Sequence, residues 1–252
     1  MVNITYSYNF ESVLFETVKL GGAPVLMAFK DDKRAASKNG VVIFYHGHGV
    51  CKEDNQKELV SMANAGMLAV GVDNYGHGER RYKDFDKRFV YGAKKFDQEL
   101  YIAIDKSADE ISLIIDELIA NHGIHANKIG VCGISMGGHI AYAAALRDKR
   151  IKAAAPILGT PCWKALVEKS PFDRASEFFP CAILSQNGGA DDIVPPDGAR
   201  AFHAELKKYY GVIPEREMYI EFDGAGHAVP EQDWYMLWDN VISWFDRFLI
   251  SG

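Results

Sequence analysis

Residues Gly133-Ile134-Ser135-Met136-Gly137 fit the pattern G-x-S-x-G. A serine held on such a turn, between a strand and a helix, is lifted off the sheet at the helix N-terminus. The helix dipole and free backbone N–H groups there favour a developing negative charge, which suits acyl transfer. A serine hydroxyl is a poor nucleophile unless a neighbouring base takes its proton. The candidate base is His227, in the loop Asp223-Gly224-Ala225-Gly226-His227. An imidazole titrates near neutrality and can serve first as base and then as acid. A carboxylate is then needed to hold the imidazole tautomer. The segment Asn187 to Pro196 offers Asp191 and Asp192, both between serine and histidine in chain order. The blander alternative makes them caps for the helix after Pro195-Pro196. The backbone N–H of Met136, next after the serine, is expected to be one oxyanion donor.

The elements around these residues place them on one sheet edge. Ile129 to Cys132 is an apolar run before the serine, and Gly138 to Leu146 is helix-compatible after it. Ala182 to Leu184 opens a short strand before the aspartates, and Glu217 to Phe222 alternates as a strand before the histidine loop. Val13 to Leu20 and Pro24 to Lys30 flank Gly21-Gly22 and read as a hairpin. Asp31 to Gly40 reads as a polar turn. Val41 to Tyr45, Met67 to Val72 and Ile151 to Leu158 read as strands buried on both faces. Helices are expected over Asn55 to Ala65, Asp105 to Asn121 and Pro196 to Tyr209. In the second of these Ala108, Ile111, Ile115 and Leu118 recur at helical spacing, and Gly123 ends it. Trp234, Leu237, Trp238, Val241, Phe245 and Phe248 line one side of a C-terminal helix, as core or as the seam of a homodimer. Alternating strands and helices imply a mostly parallel sheet covered on both faces, with ligands beyond the carboxyl ends of its strands.

The chain of 252 residues suits one domain spanning 1–252. A formal charge of −6 argues against nucleic acid and anionic membranes as partners. No apolar run reaches the ~20 residues that span a bilayer. Met1 to Glu11 lacks the cationic start and apolar block of a signal peptide. The cysteines Cys51, Cys132, Cys162 and Cys181 show no C-x-x-C pair, so a cytoplasmic setting is expected. His46-x-His48 lacks a third ligand at a metal-like distance, so neither metal nor cofactor is expected. His46 reads as a buried brace of its loop. His139 reads as packing or solvent-facing, and His122, His125 and His203 as surface residues.

Taken with His46-Gly47-His48-Gly49, Asp73-Asn74-Tyr75-Gly76-His77-Gly78, Asp191-Asp192-Ile193-Val194-Pro195 and Gly224-Ala225-Gly226-His227, the serine turn makes the chain resemble an α/β-hydrolase. The resemblance runs from about residue 41 to 249, and it is strongest to the dienelactone-hydrolase and prolyl-oligopeptidase-like esterase branch. It implies a mostly parallel, twisted sheet of about eight strands with helices on both faces and small lid insertions. Its D-x-x-V-P spacing selects Asp191, and it assigns the second oxyanion donor to the backbone N–H of His48. Segments 79–96 and 160–179 are expected to roof the pocket, with His77, Tyr82 and Trp163 as pocket residues. Segment 79–96 is read as a solvated helix-loop or, more sharply, as a cap admitting an apolar or anionic acyl group through Arg80, Arg81 and Arg88. Dienelactone hydrolases proper carry cysteine at the nucleophile position, so Ser135 favours an ordinary ester or thioester. The implied activity is that of a carboxylesterase on small to medium acyl esters. A thioesterase or deacetylase stands behind it, then a peptidase, and a non-catalytic binding module is the alternative of another class.

Overall fold

A computed structural model describes residues 10–251; Met1 to Asn9, most of the stretch judged to lack a signal peptide, and Gly252 lie outside it. The strands are β1 (Val13–Leu20), β2 (Ala23–Lys30), β3 (Val41–Tyr45), β4 (Leu68–Val72), β5 (Ile129–Ile134), β6 (Ile151–Ile157), β7 (Ala182–Gly188) and β8 (Glu217–Phe222). They form one eight-stranded sheet in the order β1-β2-β4-β3-β5-β6-β7-β8. From β4 to β8 every neighbouring pair is parallel, whereas β2 runs antiparallel to both β1 and β4. The hairpin closes Leu20 on Ala23 through Gly21 and Gly22. Both glycines have positive φ, +56° and +83°, as a tight two-residue turn requires.

The helices are α1 (Lys33–Asn39), α2 (Gln56–Asn64), α3 (Phe85–Arg88), α4 (Phe96–Asp109), α5 (Ile111–His122), α6 (Met136–Arg147), α7 (Asp197–Tyr210) and α8 (Glu231–Phe245). They cover both faces of the sheet, so its central strands β3, β4 and β5 are apolar throughout. In β3, Val41, Ile43 and Tyr45 join one core cluster while Val42 and Phe44 join the other. The first face packs against α4, α5 and α6, the second against α2 and α8.

Three expectations change. Residues 31–40 are not merely a turn: Asp32 accepts from the backbone N–H of Arg34 and starts α1, which buries only Ala36 and Ser37. The helix expected from Asp105 already begins at Phe96 and is interrupted at Glu110, whose carboxylate binds Arg80. In the C-terminal helix Trp244 is buried beside the stripe, and a π-turn over Asp246–Ile250 then rotates its end, so that Leu249 is buried and Phe248 only partly. The stripe packs into the core through Leu237, Trp238, Val241 and Phe245. Among the described residues no helix is long and apolar enough to cross a membrane.

Candidate active site

Ser135 stands between β5 and α6 with φ +57° and ψ −114°, strained for a residue with a side chain. The flanking glycines allow the turn. A Cβ on Gly133 would lie 2.3 Å from the carbonyl oxygen of Gly137, and one on Gly137 would lie 1.9 Å from that of Tyr45. The turn is also pinned to the sheet by the Ser135 N–H, which donates to the Ile157 carbonyl at 2.8 Å.

The sheet brings the other groups to this edge. The loops after β7 and β8 continue their strands' pairing: Gly189 N–H donates to Phe222 O and Ala190 N–H to Ala225 O, both at 2.8 Å. Asp191 and His227 thereby face each other. His227 Nδ1–H donates to Asp191 Oδ2 at 2.7 Å, and Ser135 Oγ–H donates to His227 Nε2 at 2.9 Å. The Asp191 carboxylate is fully buried. Its Oδ1 accepts from the backbone N–H groups of Ile193 and Val194, each at 2.9 Å. The carboxylate is thus held by its own loop and cannot swing away. Asp192 points to solvent. Neither aspartate caps α7, whose N-cap is Pro196 with no side-chain bond.

The loop after β3 passes over the serine. A Cβ on Gly47 would lie 4.0 Å from that of Ser135. His48 and Met136 border the same cavity as Ser135. His46 braces this loop from beneath: its Nδ1–H donates to Gly47 O at 2.7 Å, and its Nε2 accepts from Asn74 N–H at 3.0 Å. Burial pulls its pKa down to about 4, so it is neutral. The His48 imidazole packs among Phe85, Phe89, Phe96 and His77, with ring centroids 4.7 to 5.5 Å apart. An ion cluster around a buried lysine ties the next loop down. The Lys52 ammonium, fully buried, lies 3.0 Å from Asp73 Oδ2 and 2.6 Å from Glu79 Oε1. Burial opposes its charge, but the hydrogen bonds it donates to Glu53, Glu79 and Asp73 outweigh this and raise its pKa. Sequence reasoning had no signal for this lysine, because its burial depends on loops from two strands.

The cavity, about 1120 Å³, opens beside Ser135 and His227. Tyr91, Lys94 and Phe96 border it, as do Thr160, Cys162, Lys164 and Trp234. His77, Tyr82 and Trp163 do not line it. His77 is sealed against Phe85 and Phe89, Tyr82 stacks toward Phe89 and Tyr75, and Trp163 is buried against Tyr101. These rings support the wall from behind. Arg80, Arg81 and Arg88 are also elsewhere: they pair with Glu110, Asp86, and Asp84 with Glu99, so none presents a free charge to an acyl anion. Among the described residues no group of three or more His, Cys, Asp or Glu side chains is arranged to hold a metal ion.

Of the two alternatives for His139 the structure shows packing, with a cavity edge that the sequence did not signal, and His203 departs from expectation. His139 is 4% exposed, borders the cavity and sits one helical turn past Ser135, a spacing that puts it on the same helix face. His203 is not on the surface. Its Nδ1–H donates to Glu217 Oε1 at 2.6 Å and its Nε2 accepts from Ser185 Oγ–H at 2.7 Å, while Tyr142 O–H donates to Ser185. This repeats the serine–histidine–acid wiring inside the core. Ser185 lies in an ordinary strand with no exposure, so it cannot meet a substrate.

The sheet order, with its crevice at the carboxyl ends of β3 to β8, is that of the α/β-hydrolases. Residues 26–248 match the model of the dienelactone hydrolase family, and the chain belongs to that family, which makes it a hydrolase. YitV of Bacillus subtilis (strain 168), itself named only as a candidate esterase, is 23% identical over 266 residues, covering 94% of this chain and all of YitV. The crystal structure of TT1662 from Thermus thermophilus superposes with a TM-score of 0.78 at 20% identity, over 94% of this chain and 98% of that one. A cold-adapted esterase from an Arctic intertidal metagenomic library gives a TM-score of 0.68 at 19% identity, over 97% and 100% of the two chains. At such identities the structures share a fold with this chain.

Proposed function

We propose that this hydrolase is a serine carboxylesterase, cleaving small to medium acyl esters through an acyl-Ser135 intermediate. The observation that carries the reading is the unbroken line from Ser135 Oγ through His227 to the buried Asp191 carboxylate, at 2.9 and 2.7 Å. Asp191 fixes the tautomer with the proton on Nδ1, which leaves the Nε2 lone pair toward the serine. In acylation His227 takes the hydroxyl proton as Oγ attacks the ester carbonyl carbon. The tetrahedral oxyanion is held by the backbone N–H groups of Met136 and His48, each worth about 3–4 kcal/mol if removed. The imidazolium then returns the proton to the leaving alcohol. In deacylation a water loses its proton to His227, attacks the acyl-serine and releases the acid, and the serine oxygen regains the proton. The kinship with a family of ester hydrolases and the apolar wall of Phe96, Leu100, Val194 and Trp234 support an acyl ester as the substrate.

A fluorophosphonate probe and a p-nitrophenyl ester series from acetate to decanoate, run on wild type and Ser135→Ala, test this. Wild type is expected to label once per chain, to turn over the shorter esters and to release p-nitrophenol in a burst. Ser135→Ala loses both labelling and burst. Equal turnover by the two proteins would dispose of the acyl-serine route.

A further inference from the structure

We propose that His139 determines specificity in this site: its Nε2 accepts a hydrogen bond from a hydroxyl or amide N–H that the substrate carries near its scissile carbonyl. The inference rests on the ester-hydrolase reading above and adds a chemical demand to it.

The assignment follows from donor and acceptor types. His139 Nδ1 lies 2.9 Å from the backbone carbonyl oxygen of Ser135. A carbonyl can only accept, so Nδ1 carries the proton. Burial pulls the His139 pKa down to about 4, so near neutrality the ring holds no second proton. Nε2 is therefore a lone pair. It has no hydrogen-bond partner among the described residues, and it is not sealed off as His77 Nε2 is. It opens on the cavity that Ser135 and Cys162 also border. His46 and His203, by contrast, satisfy both ring nitrogens within the protein.

The ring is also held still. The same Ser135 carbonyl accepts the His139 backbone N–H at 3.1 Å, and Tyr101 packs edge-on at 5.8 Å between centroids. A fixed acceptor in a cavity that Leu100 and Phe96 also line discriminates in one direction. A substrate with a donor there keeps the lone pair satisfied. One without it strips water from Nε2 and leaves it unpaired, which a site of this kind rejects. A carboxylate placed at Nε2 would meet a lone pair with its own and is no substitute for the donor.

The donor can sit on the acyl or on the alcohol side, and two substrate pairs separate them. One compares p-nitrophenyl 3-hydroxybutyrate with p-nitrophenyl butyrate; the other compares 2-hydroxyethyl butyrate with ethyl butyrate. Wild type is expected to favour the hydroxylated member of one pair in kcat/KM by about five- to tenfold, the worth of one neutral hydrogen bond. His139→Asn can keep the bond to the Ser135 carbonyl through its amide N–H but has nothing at the Nε2 position, so the ratio should fall close to one. His139→Gln can place its amide oxygen where Nε2 was, so the preference should persist. A merely structural histidine predicts the reverse ranking, with His139→Asn like wild type and His139→Gln impaired in kcat at an unchanged ratio. A wild type that cleaves esters without discriminating in either pair overturns the proposal while the esterase reading stands. If no ester is cleaved and Ser135 does not label, the esterase reading falls and takes this one with it.

Discussion

Replacing Asp191 with asparagine is the sharpest test of how the site is wired. Two of the side chain's contacts survive the change. The amide oxygen of the asparagine can still accept from the backbone N–H groups of Ile193 and Val194, which now hold Asp191 Oδ1 at 2.9 Å. The amide nitrogen then falls where Oδ2 stood, 2.7 Å from His227 Nδ1. Two N–H donors cannot face each other there, so the imidazole must shift its proton to Nε2. In that tautomer Nε2 has no lone pair for the serine proton at 2.9 Å. The loop stays in place while the base is disabled. A wrong tautomer in such a triad costs about 10⁴ in kcat, or about 5 kcal/mol of barrier. The assay is kcat for p-nitrophenyl acetate, together with the second-order rate of fluorophosphonate labelling and a urea melt. Asp191→Asn should lose about four decades in both rates and little stability. Asp192→Asn, at an exposed neighbour, should stay within about twofold. An Asp191→Asn enzyme within tenfold of wild type, or an Asp192→Asn enzyme that fails, would refute the wiring.

Acid should unfold the protein through its buried neutral imidazoles. His46 and His139 have folded pKa values of about 4, below the ordinary histidine value of about 6.5, because burial penalises the charged ring. Between these values the unfolded chain binds more protons, so stability is intact above pH 6.5 and falls as pH drops toward 4, by about 3 kcal/mol for each group. Urea unfolding from pH 7 to 4.5 should show a slope shallower by about one proton in His139→Asn; parallel slopes would count against a buried neutral ring. Gly137→Ala should cost about 3 kcal/mol or more, since its Cβ would meet the backbone oxygens of Tyr45 and His46, which cannot move aside. Gly211→Ala, with open space and a helical φ of −56°, should be neutral or gain up to about 1 kcal/mol. Equal urea midpoints for the two variants would contradict the packing at the serine turn.

What the amino-acid order determined by itself was the local machinery and the plan of the sheet. The runs at Val41 to Tyr45 and Ile129 to Ile134 are apolar throughout because both faces of a central parallel strand are covered, and this pattern survives in any context. Gly133 and Gly137 flank the serine because no side chain fits beside a strained turn, so their spacing marks the turn without coordinates. The histidine and aspartate loops were legible for the same reason: each directly follows a recognisable strand. The surroundings of single histidines on helices were not legible. His139 and His203 occupy ordinary helix positions, and only the helices and strands packed over them make one a cavity wall and the other a core relay. The arginines of 79–96 looked available for an anion until folding set Glu110, Asp86 and Glu99 against them. His77, Tyr82 and Trp163 carry groups suited to a pocket but face into packing. Strand and turn chemistry is short-range and written in neighbouring residues. Which side chain faces the cavity depends on contacts between residues far apart in the chain, and only the assembled tertiary structure sets those.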